Sequence, residues 1–198
     1  MVQKNWHLCI PPVLTLLDDT FTIIRLRGLR VLGDLVVRIP SKILRQTGLG
    51  DVFEEVVIPT LLFLPELTPI EESISLLTSA YLALLSLGEA RYSTKEEWIN
   101  KMRFLDRVMR QGVLQGFIHS RDNVRIAELL VRQTINLFES MGIYSVKYLK
   151  ASQETLPSRV ISNKMHRTSC RLYLRSSQIL SDCHILTFFW LQLRQHRR

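Results

Sequence analysis

Apolar residues recur at helical spacing on both sides of an acidic pair near the start of the chain. A short apolar series, Val13 to Leu17, ends at Asp18 and Asp19. In the series that follows, positions 24, 28, 32, 35 and 36 share one side of a 3.6-residue helix. The pattern predicts a short helix, a tight turn and a longer antiparallel helix. Each of these helices has an apolar face that it cannot bury alone.

The turn between the two helices has the residue spacing of a HEAT-type repeat. Asp19 lies near the start of the second helix, where unpaired N–H groups and the positive dipole end favour a carboxylate. We expect Arg25 to reach back to Asp18, Asp19 or an acidic residue of the next repeat. We expect Gly28 to remove a side chain where the helices come closest. The alternative is an ordinary helical hairpin with a salt bridge.

Prolines mark the expected limits of these helices and of the one that follows. Pro11 and Pro12 are predicted at or before a first helical turn, and Pro40 cannot continue the second helix. Asp51 is predicted to cap a third helix over 52–64, which Pro59 should kink or break near residues 55–56.

Two capping boxes predict the starts of later helices. Thr68 is the expected N-cap of a fourth helix whose box Glu71 closes, and Thr94 with Glu97 forms the second box. The fourth helix is predicted to stop at Gly88, and it is apolar nearly all round, which favours a central position. Further helices are predicted over 95–111, 113–118 and 123–141, with almost no β-structure. The fold class is therefore all-α, a HEAT-like α-solenoid of stacked antiparallel helix pairs.

Composition divides the 198 residues into a helical body and a different tail. The chain is 46% apolar, enough for one domain with a core, which we predict as a HEAT-like helical-repeat domain over 1–150. Residues 151–198 lose the amphipathic rhythm and are rich in serine and basic residues. We expect them to be a basic, irregular C-terminal tail, either disordered or not native to the fold.

Charge separates the same two regions. The net charge is +8, but residues 1–150 hold 18 basic and 16 acidic residues, a net of +2, whereas 151–198 hold 8 and 2, a net of +6. A nearly neutral body argues against nucleic acid as its partner. No apolar run reaches the ~20 residues of a membrane span, so no membrane partner is expected. Three cysteines without tight spacing favour a reducing compartment, cytoplasmic and nuclear.

No catalytic, cofactor-binding or metal-binding constellation is recognisable in the sequence. The tripeptide Gly48-Leu49-Gly50 is followed by Phe53 where a dinucleotide fingerprint needs glycine, and no strand is predicted before it. Carboxylate pairs such as Glu71-Glu72 lie in first helical turns, where the helix dipole explains them. We therefore expect a protein that is not an enzyme, with no cofactor, no metal and no small-molecule substrate.

The order of segments in the body resembles the Tel-two-interacting protein two (Tti2) family. The resemblance covers about residues 11–150, and its most specific pieces are TGLGDVFEEVVIPTLLFLP and MGIYSVKYLK. It implies a non-enzymatic α-solenoid subunit of the TTT complex, a co-chaperone that works with Hsp90 to mature and stabilise phosphatidylinositol-3-kinase-related kinases. The implied partners are the other TTT subunits, the Hsp90 machinery and those kinases. The family is longer on its N-terminal side, and its final helices are more regular than residues 151–198.

Two other functions share parts of this pattern. A generic HEAT or armadillo adaptor, for example in transport, would have the same fold and differ only in its partners. A nucleic-acid binder would use the basic tail, where Arg159, Lys164, Arg167, Arg171 and Arg175 recur every three to five residues. A solvated tail explains those basic residues equally well.

Overall fold

The structure is a computed structural model. It describes residues 2–66, 68–92, 94–120 and 123–148, with side chains from residue 6 onward except at 95. The α-helices in these ranges are α1 Val2–Leu17, α2 Thr22–Arg38, α3 Ser41–Gln46, α4 Leu49–Val57, α5 Ile70–Arg91, α6 Trp98–Val108, α7 Gln115–His119 and α8 Val124–Met141. Shorter 3-10 helices cover Ile58–Leu62, Lys95–Glu97 and Gly142–Tyr148, and a π-helix covers Met109–Leu114. No strand occurs in the described ranges, so the all-α prediction is confirmed there. The predicted tail, 151–198, lies outside them.

Helix α5 forms the centre of the fold, as its apolar composition predicts. Its buried side chains include a continuous series that is at most 1% exposed: Leu76, Leu77, Ala80, Tyr81 and Leu84. It packs against α2, α3, α4, α6 and α8. By length and composition it is also the one helix in the described part of the chain that could cross a membrane, but half of its apolar window is buried inside the fold. A long apolar helix in the core of a protein meets the same criteria of length and composition.

Helix α2 packs between α1 and α5 through the face that the periodicity predicts. Its buried residues are Gly28, Leu29, Leu32, Leu35 and Val36, so four of the five predicted positions are buried, Ile24 is half-buried, and Leu29 joins this face. The turn over 18–21 that joins α1 to α2 is short, so the two helices form a hairpin. Helix α1 also contacts α4, and α8 contacts α5.

The prolines of α1 lie inside the helix, so the prediction that they precede its first turn is wrong. Helix α1 begins at Val2 and runs through Pro11 and Pro12 to Leu17. Each proline removes one donor to the carbonyl four residues earlier, at His7 and Leu8. Both of these residues are exposed, Leu8 by 65%, so water can hydrate the carbonyls that lose their helical partners.

Pro59 changes the helix that contains it, as predicted. The α-helical hydrogen bonding of α4 ends at Val57, and the chain continues as the 3-10 helix Ile58–Leu62. The start of α4 differs from the prediction, because the helix begins at Leu49 and its N-cap is Gly48, not Asp51. Gly48 has φ +69°, a left-handed conformation that glycine adopts without steric cost.

Two glycines that the sequence analysis places at helix ends are instead sites of close packing. Helix α5 continues past Gly88 to Arg91, and a Cβ at position 88 would lie 2.9 Å from the ring of Phe104 on α6. The predicted break at Gly112 is also absent from this described segment, because α6, the π-helix and α7 run on without a gap from Trp98 to His119. A Cβ at Gly112 would lie 2.8 Å from the Tyr81 hydroxyl.

Candidate partner-binding surface

The turn between α1 and α2 is held by hydrogen bonds that involve Asp19 twice. The Asp19 carboxylate accepts a hydrogen bond from the Phe21 N–H at 2.8 Å. The Asp19 carbonyl accepts one from Arg25 Nε at 3.0 Å. The Arg25 guanidinium also lies 4.5 Å from the centroid of the Phe63 ring, within the range of a cation–π contact.

Arg25 therefore contacts Asp19, as expected, but it binds the backbone carbonyl of Asp19 and not the carboxylate. The prediction of an ion pair with a carboxylate of Asp18, Asp19 or a neighbouring repeat is wrong for the described residues, where Arg25 forms no salt bridge. The physical reason is that the backbone before a helix leaves a free carbonyl within reach of Arg25. The face of Phe63 then takes the remaining surface of the guanidinium.

Gly28 lies where α1 and α2 come closest, which is the role that its position in the repeat predicts. A Cβ at this position would lie 2.9 Å from the Leu16 Cβ and 3.0 Å from the Leu16 carbonyl carbon. The clash would involve backbone atoms of α1, which cannot move without separating the helices. Gly28 thus sets the distance between the helices of this pair.

An open groove runs between this turn and α4. It has a volume of about 730 Å³ and is lined by Leu14, Thr15, Asp18, Asp19, Thr20, Phe21, Val52 and Val56. Phe21 is 70% exposed and Val52 is 41% exposed, so the groove presents apolar surface to solvent beside two carboxylates. Neither Asp18 nor Asp19 forms an ion pair within the described ranges.

The helix cap at this groove is unusual. Phe21 is the N-cap residue of α2, with extended backbone angles, and it makes no side-chain cap hydrogen bond. Serine, threonine, aspartate and asparagine are preferred at this position because their side chains accept from the first free N–H groups. Threonines lie on both sides, at Thr20 and Thr22, so the sequence has cap residues next to an aromatic residue that caps nothing.

A second cluster of polar groups joins α4, α5 and α6. Arg91 on α5 donates to Asp51 and, at 3.5 Å, to Glu54, while Arg107 on α6 donates to Glu54 at 3.0 Å. The position of Arg91 explains Gly50, since a Cβ there would lie 2.8 Å from the Arg91 Cδ. The segment TGLGDVFEE thus supplies both the space for Arg91 and the carboxylates that bind it.

Glu54 is the buried centre of this cluster. Its side chain is only 8% exposed, and burial raises its pKa from the ordinary 4.5, against the opposing effects of Arg107 and Arg91. The raised pKa means that desolvation outweighs the two guanidinium groups. The arrangement links three helices, α4, α5 and α6, through one carboxylate.

Lys147 and Tyr148 of the segment MGIYSVKYLK make a further polar contact with α6. The hydroxyl of Tyr148 and the ammonium of Lys147 both donate to Asp106, and Arg110 lies 2.9 Å from the second oxygen of that carboxylate. Burial opposes ionisation of Asp106, but the hydrogen bonds from Lys147 and Tyr148 and the neighbouring charges lower its pKa below 3.8. Tyr148 is itself 4% exposed, so this contact fixes the end of the described chain to α6.

The first predicted capping box, Thr68 with Glu71, does not form in the structure. The N-cap of α5 is Pro69, no side-chain cap hydrogen bond is made, and Thr68 is buried with its carbonyl accepting from the Ser73 hydroxyl at 3.4 Å. The Glu71 carboxylate binds the Arg125 guanidinium of α8 instead of the Thr68 backbone. The prediction that Thr68 and Glu71 cap α5 is therefore wrong, because a partner on another helix takes the carboxylate.

The second predicted box, Thr94 with Glu97, lies in a 3-10 turn that precedes α6. The Glu97 N–H donates to the Thr94 carbonyl at 3.2 Å, and the N-cap of α6 itself is Glu97. The Glu97 carboxylate accepts from Arg45, and this bond lowers its pKa. Glu97 thus contacts Thr94 as predicted, but its strongest partner is on α3.

Sequence reasoning missed the residues that bind across helices: Phe63, Arg91, Asp106, Arg107 and Arg125. One signal for them was present. On α4 the buried face includes Phe53, Glu54 and Val57, so a carboxylate interrupts an otherwise apolar face. Such a carboxylate needs a buried cation, although the sequence does not say which arginine supplies it.

Comparison with known proteins gives a match to a protein family. A sequence model of the Tti2 family matches residues 1–166. The match includes both segments that build the ionic contacts, and it extends beyond the 11–150 range of the resemblance in both directions. No solved structure matches the chain. Within the described residues no group of three or more His, Cys, Asp or Glu side chains could hold a metal ion.

Proposed function

The chain belongs to the Tti2 family, and from this premise we propose that it is a non-enzymatic scaffold subunit of the TTT complex. In this role it would support the Hsp90-dependent maturation and stability of phosphatidylinositol-3-kinase-related kinases. The family match over residues 1–166 is the observation that carries the proposal. The proposed partners are the other TTT subunits, the Hsp90 machinery and the kinases themselves. The proposed location is the cytoplasm and the nucleus.

We further propose that the described helices form a HEAT-like solenoid. The pattern of contacts supports this arrangement: α1 contacts α2, α4 and its 3-10 extension contact α5, and α8 contacts α6, α7 and the π-helix. Between these pairs, α2 contacts α5 and α5 contacts α8, while α1 contacts α4. Each helix pair would then bury its apolar face against its neighbour, as repeat proteins do.

The ionic contacts support a scaffold role more than a catalytic one. Glu54, Asp106 and Glu97 are engaged by basic side chains of other helices, and Glu71 is engaged by Arg125. These bonds tie helices together that are distant in sequence. The arrangement fits a protein that keeps a long surface in a fixed shape for protein partners.

Affinity purification of the tagged full chain from cells, followed by mass spectrometry, tests the proposal. We expect recovery of the two other TTT subunits and, at lower abundance, of the large kinases. Recovery of nuclear transport factors without TTT subunits would contradict the proposal and favour a transport adaptor. The location is tested separately by imaging the tagged chain, and exclusion from both compartments would contradict that part.

A further inference from the structure

The groove between the α1–α2 turn and α4 combines three features that stability alone does not explain. It exposes Phe21 and Val52, it carries two carboxylates outside any described ion pair, and it places an aromatic residue at a helix cap. From these features we propose that the groove binds an amphipathic helix of a partner protein that carries basic residues along one edge. The proposal rests on the scaffold role, because it assigns one surface of that scaffold to one kind of partner.

The apolar part of the argument depends on Phe21. Large aromatic side chains provide much of the binding energy at protein interfaces when they enter a partner's surface. Phe21 is 70% exposed at a position where serine or threonine would cap α2. A residue that departs from the local sequence preference and does not stabilise the fold is typical of a functional position. Val52 and Val56 on α4 supply the opposite apolar wall.

The charge of the occupant follows from Asp18 and Asp19. Asp19 accepts from the Phe21 N–H, and the adjacent Arg25 is engaged by the Asp19 carbonyl and the Phe63 ring. The two carboxylates therefore face the groove without a described cation to neutralise them. Lysine or arginine side chains on a bound segment would supply that cation and fix the orientation of the segment. Nucleic acid, which is polyanionic, would be repelled here.

The secondary structure of the occupant follows from the walls of the groove. The described residues contain no strand, so no sheet edge is present there to pair with an extended peptide. The walls are side chains of α1, α4 and the intervening turn, which can receive the apolar face of a helix between them. An apolar stripe at i, i+3, i+4 and i+7 with basic residues beside it fits both walls and carboxylates.

The first experiment compares the full chain with three variants in co-purification with the two other TTT subunits. Phe21→Ser removes the aromatic anchor and supplies a cap, and Asp18→Asn with Asp19→Asn removes the charge and keeps the size of the side chains. Val37→Ser is the matched control, because Val37 is 73% exposed on the same helix but does not line the groove. We expect the first two to reduce recovery at least tenfold and the control to leave it unchanged. Equal recovery with all variants would overturn the proposed groove while the scaffold function stands.

The second experiment decides the matter if the parent chain recovers no TTT subunit, an outcome that would contradict the scaffold function itself. A synthetic amphipathic helical peptide with leucine and lysine is titrated into the full chain, beside an analogue with glutamate in place of lysine. We expect the lysine peptide to bind, and each groove variant to weaken it at least tenfold. Thermal unfolding checks that Phe21→Ser remains folded, and we expect its new cap to keep or raise the melting temperature. Equal binding of both peptides, or of parent and variants, would overturn the proposal.

Discussion

The Arg107 guanidinium donates a hydrogen bond to the Glu54 carboxylate at 3.0 Å and so joins α6 to α4 across 53 positions of sequence. Arg91 of α5 approaches the same carboxylate at 3.5 Å, so one buried glutamate holds three helices. Glu54 lies in the segment TGLGDVFEEVVIPTLLFLP, which is one of the two most specific pieces of the family resemblance. This segment therefore supplies a carboxylate that fixes α4 to α5 and α6.

Removing the Glu54 carboxylate should destabilise the fold strongly. Glu54→Ala removes the carboxylate that Arg107 and Arg91 share, while Arg91 keeps Asp51, so it should lower the free energy of unfolding by roughly 1–3 kcal/mol. Glu54→Gln should have a smaller effect, because its amide oxygen can still accept from Arg107. Glu55→Ala, at an exposed neighbour, is the control and should change stability by less than ~0.5 kcal/mol. Urea unfolding measures all three, and identical midpoints would contradict the structural role of Glu54.

Two glycines of α2 should respond in opposite directions to the same substitution. Gly28→Ala places a Cβ 2.9 Å from the Leu16 Cβ and against the backbone of α1, so it should destabilise by about 1–3 kcal/mol. Gly33→Ala meets nothing within 4 Å and should stabilise by roughly 0.5–1 kcal/mol through helix propensity. Thermal unfolding of the two variants compares them directly. If Gly28→Ala were as stable as Gly33→Ala, then α1 and α2 would have to be farther apart than the close approach at Gly28 indicates.

Arg25 should stabilise the first turn through Phe63 and not through a carboxylate. Arg25→Ala should cost about 1 kcal/mol, since it removes a hydrogen bond to the Asp19 carbonyl and a cation–π contact. Two double-mutant cycles separate the partners. The cycle with Phe63→Leu should show a coupling of roughly 0.5–1 kcal/mol, whereas the cycle with Asp18→Asn should show almost none. A larger coupling with Asp18→Asn than with Phe63→Leu would instead support the ion pair that the sequence pattern predicts.

Acid should weaken the contact between the end of the described chain and α6. The folded-state pKa of Asp106 is lowered, since hydrogen bonds from Lys147 and Tyr148 outweigh the effect of burial. Its contribution to stability is therefore complete above the ordinary pKa of 3.8 and is lost as pH falls through the lower folded-state pKa. Unfolding of the parent and of Asp106→Asn should differ most near neutral pH and converge below 3.8. The exposed Asp34→Asn is the control, and a difference between parent and Asp106→Asn that does not depend on pH would contradict this role.

The sequence alone predicts the helices well and their contacts poorly. Periodicity identifies the buried face of α2 and the central place of α5, because apolar spacing reports which side of a helix faces the core. Gly88 and Gly112 show the limit of local reasoning. The same residue type ends a helix or allows another helix to approach, and only the ring of Phe104 or the hydroxyl of Tyr81 across the fold decides which.

The candidate site shows the same division between local and long-range information. The turn over 18–21 and the close approach at Gly28 are readable from short spacing. The partners of Glu54 and Glu71 are not, because Arg107 and Arg125 lie on other helices more than fifty positions away. A carboxylate near a helix start satisfies the capping rule in sequence, yet a cation brought in by tertiary packing forms the stronger bond.

Reconstitution from purified proteins tests whether this chain is a scaffold subunit of the TTT complex. The purified full chain is mixed with the two other purified TTT subunits and separated by size-exclusion chromatography with measurement of mass. We expect one stable species that contains all three proteins, and a smaller amount of this species with Glu54→Ala, which destabilises the packing of the helices. Elution of the parent chain apart from the other two subunits, with its helical circular dichroism intact, would contradict the account.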